Sequence, residues 1–90
     1  MGIAAVKIKI MPTSPDVDLE ELKSKSLELL EKNEAKNPTI TQEPIAFGLE
    51  ALILFFAWDE SKELDSFEEK LRKIENVNSV EIVDMRRAFG

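Results

Sequence analysis

Few side chains in this 90-residue chain are suited to covalent chemistry. It has no cysteine and no histidine, which removes thiolate nucleophiles, imidazole bases, soft-metal sites and disulfide staples together. Nucleophilic catalysis would fall to serine, threonine or lysine, and nothing in the sequence resembles a nucleophile elbow or a phosphate-cradling P-loop. Carboxylate pairs do occur, at Asp16/Asp18 and Asp59/Glu60. Their spacing suits helix caps and solvated faces better than acid–base or metal chemistry. We therefore expect no catalytic residue, no metal site and no cofactor.

Two other features could act by contact. Pro44-Ile45-Ala46-Phe47-Gly48 puts a large apolar ring beside glycine at a turn. Phe47 either folds back over a sheet edge or stands out to enter a partner's pocket, as aromatic anchors do. The second feature is Arg86-Arg87, a basic pair near the end of a chain carrying 12 basic and 18 acidic side chains, net −6. An acidic domain is repelled by a phosphate backbone, which argues against nucleic acid as the direct ligand. The first strand also lacks the stacking aromatics of an RNA-binding sheet.

The elements that must position these residues follow from periodicity. Ile3 to Met11 alternates, with Val6, Ile8 and Ile10 on one side and Ala5, Lys7 and Lys9 on the other, the mark of a strand with one covered face. Pro12-Thr13-Ser14-Pro15 breaks it. Asp18 can cap a helix, with Glu21 three residues on and Val17/Leu22 spaced as a staple. Leu19, Leu22, Leu29 and Leu30 form its stripe, Ser26 lies mid-stripe, and the helix fades over 33–37 ahead of Pro38. Thr39 to Gln42 reads as a second strand, and the apolar run Leu49 to Trp58 as a third, paired on both sides and partly covered on both faces. Asp59 or Ser61 can cap a second helix with the stripe Leu64, Phe67, Leu71, Ile74. Asn76 suits a left-handed terminator, and Val80, Ile82 and Val83 mark a last strand.

The order β-α-β-β-α-β, with one apolar stripe per helix, fits an α+β ferredoxin-like sandwich. Its four-stranded antiparallel sheet carries both helices on one face, with the first and third strands central. We expect one domain over 1–90, with Gly2 and Phe89-Gly90 as loose ends. The longest apolar run, 51–58, is far short of the ~20 residues needed to span a bilayer. Lys7 and Lys9 interrupt any signal-peptide core. The expectation is a soluble, cytoplasmic protein, monomeric when free.

Three segments carry a family resemblance: Val6-Lys7-Ile8-Lys9-Ile10-Met11-Pro12 with Ser14-Pro15-Asp16-Val17-Asp18, then Glu43-Pro44-Ile45-Ala46-Phe47-Gly48-Leu49, and Val80-Glu81-Ile82-Val83-Asp84-Met85-Arg86-Arg87. In order and spacing the chain resembles archaeal elongation factor 1-beta over its full length. The resemblance implies GDP–GTP exchange on the GTPase elongation factor 1-alpha. It also implies that Phe47, with Ile45 and Gly48 around it, meets the partner. A basic residue at the end of the last strand then reaches toward the Mg²⁺ and phosphate region of the GTPase; Arg87 matches by position, and Arg86 is its neighbour. The eukaryotic pattern has lysine there, and arginine differs from it in being a planar fork. On this view the cation displaces Mg²⁺ while Phe47 wedges the surrounding elements apart. The alternative is a regulatory module of the same fold, an ACT-like small-molecule sensor; Pro12-Thr13-Ser14-Pro15 lacks the glycine expected in such a module's first turn.

Overall fold

A computed structural model describes residues 2–89 of the chain. Six elements follow one another: β1 Ile3–Pro12, α1 Leu19–Lys32, β2 Lys36–Pro44, β3 Glu50–Asp59, α2 Leu64–Arg72 and β4 Val77–Phe89. The strands form one antiparallel sheet in the order β2-β3-β1-β4. The ferredoxin-like arrangement expected from the pattern is thus present, with β1 and β3 central.

Alternation dictates which side is dry. Ala4, Val6, Ile8 and Ile10 of β1 face Trp58, Phe56, Leu54 and Leu52 of β3 across the ladder, and all eight are buried. Leu22 and Leu30 of α1 and Phe67 and Leu71 of α2 close over them. Each large side chain removed from water in this way contributes about 1.5–3 kcal/mol before chain entropy is subtracted. Phe56, Trp58 and Phe67 form an aromatic knot with ring centroids 5.1–5.8 Å apart, and the indole N–H donates to the Lys62 carbonyl at 3.1 Å. Ser26, the polar interruption of the α1 stripe, is fully buried and donates to the Leu22 carbonyl at 2.9 Å.

The odd-numbered residues of β1 and β3 make the open face. Lys7 pairs with Phe55 and Lys9 with Ile53. Phe55 is half exposed while Ala51 and Ile53 are buried, so the second face of β3 is covered only along its first half.

Local signals hold in some places and yield in others. Asp18 caps α1, its Oδ1 accepting from the N–H groups of Glu20 and Glu21 at 3.1 and 3.3 Å. Asn76 adopts φ +73 between α2 and β4. The start of α2 differs from expectation: its N-cap is Glu63, without a side-chain cap bond. Asp59 instead closes a turn at the end of β3, its Oδ1 accepting from Ser61 N–H at 2.9 Å and Ser61 Oγ at 2.8 Å. The nearer donor satisfied the carboxylate first. β2 is longer than its alternating centre because it is an edge strand, where Pro38 lacks a donor without breaking a ladder. Gly2 and Phe89 are not loose: the Gly2 carbonyl accepts from Glu60 N–H at 3.0 Å, and Phe89 pairs with Ile3. Gly90 lies outside the described residues.

Candidate functional site

The β2–β3 connection is a tight turn whose two central residues are Phe47 and Gly48, at φ +60 and +78. Leu49 N–H donates to the Ala46 carbonyl at 3.1 Å and Ile45 N–H to the Leu49 carbonyl at 2.7 Å. Positive φ at both central positions is the pattern of a type I′ turn, which the twist of paired strands favours and which Asn-Gly or Asp-Gly normally supplies. Phenylalanine is a poor choice there, because a left-handed backbone brings Cβ against the following carbonyl at a cost of about 1–2 kcal/mol. The ring does not compensate by packing: Phe47 is 94% exposed. It therefore stands out and does not fold back over the sheet edge. Ile45 beside it is also exposed. A Cβ built on Gly48 would have room, its nearest neighbour being Pro15 Cβ at 3.9 Å, so φ alone requires glycine.

Pro15 belongs to the β1–α1 turn, where Thr13 N–H donates to the Asn76 carbonyl at 2.9 Å. Three connections thus meet at this end of the sheet, and Phe47 is their most prominent side chain.

The arginines lie at the other end. Arg87 pairs with Ala4 and Arg86 with Ala5. Their faces are set by a bulge: Lys7 opposes Asp84 and Ile8 opposes Ile82, leaving Val83 as the extra residue. From Ser79 to Ile82 the even positions of β4 face the helices. Beyond the bulge the odd ones do, so Arg87 lies on the helix side and Arg86 on the open face. Arg86 Nε lies 3.1 Å from Asp84 Oδ2, two residues away on the same strand. Arg87 Nε donates across the sheet to Glu60 Oε2 at 3.1 Å.

Glu60 follows the Asp59 turn. The Ser61 backbone N–H and hydroxyl, with Lys36 and Lys62 nearby, hold the Asp59 carboxyl below its ordinary value. A cleft of about 200 Å³ opens beside it, lined by Ile3, Glu34, Lys36, Ala57, Trp58, Asp59 and Lys62. Lys62 is engaged already: its ammonium donates to the Asn33 carbonyl and to Glu34, and lies 4.8 Å from the Trp58 ring centroid. Among the described residues no group of three or more acidic, histidine or cysteine side chains is placed to hold a metal ion.

Phe47 and Arg87 are therefore far apart. From Glu50, just past the turn, to Trp58, in line with Ala4 and Arg87, β3 runs eight residues, about 26 Å at ~3.3 Å per residue. The molecule is 41 Å long and about 20 Å across. The turn and the arginine pair thus stand at opposite ends of the sheet. Glu60 reads from the sequence as one of a solvated carboxylate pair, and no local pattern tells that it reaches across β1 to Arg87.

Comparison with known proteins agrees with the family resemblance. The EF-1 guanine nucleotide exchange domain family matches residues 5–88. Relatives named elongation factor 1-beta include one from Methanobrevibacter smithii, 47% identical over 97% of this chain and 98% of the relative. Another, from Methanococcus maripaludis, is 41% identical over 94% and 97%. Among solved structures, the ACT domain of GTP pyrophosphokinase from Chlorobium tepidum superposes with a TM-score of 0.64, covering 88% of this chain and 96% of that domain. At 20% identity this last likeness concerns the fold alone. With sequence similarity running end to end through the turn and the last strand, the chain belongs to the family of EF-1 guanine nucleotide exchange domains, on its archaeal elongation factor 1-beta branch.

Proposed function

We propose that this chain is a translation elongation factor that promotes exchange of GDP for GTP on elongation factor 1-alpha, working in the cytoplasm by docking and not as an enzyme. Family membership supports the reaction. The observation that carries the docking is Phe47, a strained aromatic standing 94% exposed at a tight turn. Strain of this kind persists where the surroundings enforce it, and an aromatic that solvates itself at such a cost is an anchor awaiting a pocket.

Bound nucleotide is held partly through Mg²⁺, which neutralises the phosphates. A guanidinium delivered beside them competes with that ion for its ligands and lowers nucleotide affinity. Since about 26 Å of β3 separates its turn from the arginine end, the role of Phe47 is to hold the sandwich against a separate patch of the GTPase while the arginine end works at the nucleotide. Coupling is reciprocal: whatever factor binding does to nucleotide affinity, nucleotide does to factor affinity. The factor supplies no driving force, and the ratio of GTP to GDP sets the direction of exchange. A free monomer acting without cofactor or nucleic acid is sufficient for all of this.

The direct test loads purified elongation factor 1-alpha from the same host with a fluorescent GDP and adds this chain with excess GTP in a stopped-flow instrument. Accelerated release, saturating with factor concentration, is expected. Release at the spontaneous rate in the presence of saturating chain overturns the proposal.

A further inference from the structure

The ion pair at the tail end of the sheet has an asymmetry that bears on how the cation is presented. Arg87 uses only Nε to reach Glu60 Oε2, and among the described residues its two Nη groups make no hydrogen bond. Glu60 is the better sheltered partner, its side chain 24% exposed against 68% for Arg87. It is also fixed from behind: its N–H donates to the Gly2 carbonyl at 3.0 Å, and it follows the Asp59–Ser61 turn directly. The inner edge of the guanidinium is therefore held by a carboxylate on an anchored stretch of backbone, and the outer edge, with the donors that form a bidentate fork, is left for another molecule. Arg86 has no such support. Its carboxylate is two residues away on the same strand, its side chain is 80% exposed, and it lies on the opposite face.

From this geometry, and resting on the exchange function proposed above, we infer that Glu60 is a positioning residue: it pre-orders Arg87 so that the fork meets a two-oxygen anion in the nucleotide site of the GTPase, making Arg87 and not Arg86 the working cation. A free arginine would have to give up its rotamer freedom on reaching that site, and Glu60 removes much of this loss in advance.

The test measures release of fluorescent GDP at saturating factor for the wild type, Glu60→Gln, Glu60→Asp, Arg87→Ala and the Glu60→Gln/Arg87→Ala double variant, with thermal melts on each. Glu60→Gln keeps the size and loses the charge, and should slow exchange about three- to tenfold. Glu60→Asp should recover part of this, and melting temperatures should stay close to wild type because the pair is exposed. Adding Glu60→Gln to Arg87→Ala should change the rate less than twofold, since Glu60 acts only through that arginine. The inference fails if Glu60→Gln exchanges at the wild-type rate, or slows the reaction equally with and without Arg87. It also fails if Arg87→Ala is fully active, although exchange by the wild type would then still support the broader function. Repeating the series after chelating Mg²⁺ identifies the anion: the Arg87 effect persists if it is a nucleotide phosphate and disappears if it is a carboxylate holding the metal.

Discussion

Replacing Phe47 with asparagine should make the protein more stable and less able to bind. The residue occupies the first central position of a turn with positive φ at both centres, followed by Gly48. Asn-Gly is the preferred pair for that geometry, because asparagine tolerates the left-handed region and phenylalanine does not. The left-handed conformation costs an ordinary residue about 1–2 kcal/mol, and relief of half that strain contributes roughly 0.5–1 kcal/mol. Nothing is lost on the other side, since a ring 94% exposed makes no packing to give up. In a domain of this size 1 kcal/mol moves the melting temperature by about 4–8 °C, so a rise of about 2–8 °C is expected.

Binding should change in the opposite sense. A phenylalanine passing from water to a partner's pocket contributes about 1.5–3 kcal/mol, and asparagine recovers little of it. The affinity for elongation factor 1-alpha, titrated by calorimetry, should fall about 10- to 100-fold, while the circular dichroism spectrum stays unchanged. Two results would refute this reasoning. A lower melting temperature would mean that Phe47 supports the fold, and an unaltered affinity would mean that the ring meets no partner.

Gly48→Ala should destabilise by about 1 kcal/mol through backbone conformation alone, because the added methyl has 3.9 Å of clearance from Pro15; a denaturant midpoint showing no loss would contradict the assigned φ of +78. Ser26→Ala should lie within about 1 kcal/mol of wild type in urea unfolding, since the Oγ bond to the Leu22 carbonyl is a back-bond within α1. Ser26→Leu should lose roughly 1–3 kcal/mol by overpacking a fully buried position. The Asp59 carboxyl is held below its ordinary value of 3.8, so its stabilising effect is complete above that pH and is lost as the pH falls through the folded value. The stability gap between wild type and Asp59→Ala should therefore close on acidification below about pH 4; a gap that widens there would reverse the sign.

Much of the architecture was legible because burial follows strict periods. Two-residue alternation in 3–11 and the three-four-three steps of Leu64, Phe67, Leu71 and Ile74 each have one way to hide their apolar sides, and the observed core uses it. The Asp18 cap was readable for a similar reason: its partners are two and three residues away, so no distant contact can take them. The α2 cap departs from the expected Asp59 or Ser61 because two nearby demands compete for one carboxylate, and Asp59 bonds Ser61.

At the candidate site the division is sharper. Residue order alone determined that Phe47 and Gly48 share a turn, that a basic pair closes the last strand, and that cysteine and histidine chemistry is excluded. Only the folded sheet decided that Phe47 is exposed and not folded back, because nothing local states whether the neighbouring strand leaves a groove for it. The tertiary structure likewise set the two arginines on opposite faces: a period-two count is inverted by the single extra residue Val83, and the ladder with β1 places that residue. The contact of Glu60 with Arg87 spans 27 positions of chain. It exists because β3 and β4 flank β1, a consequence of topology that no window of sequence contains.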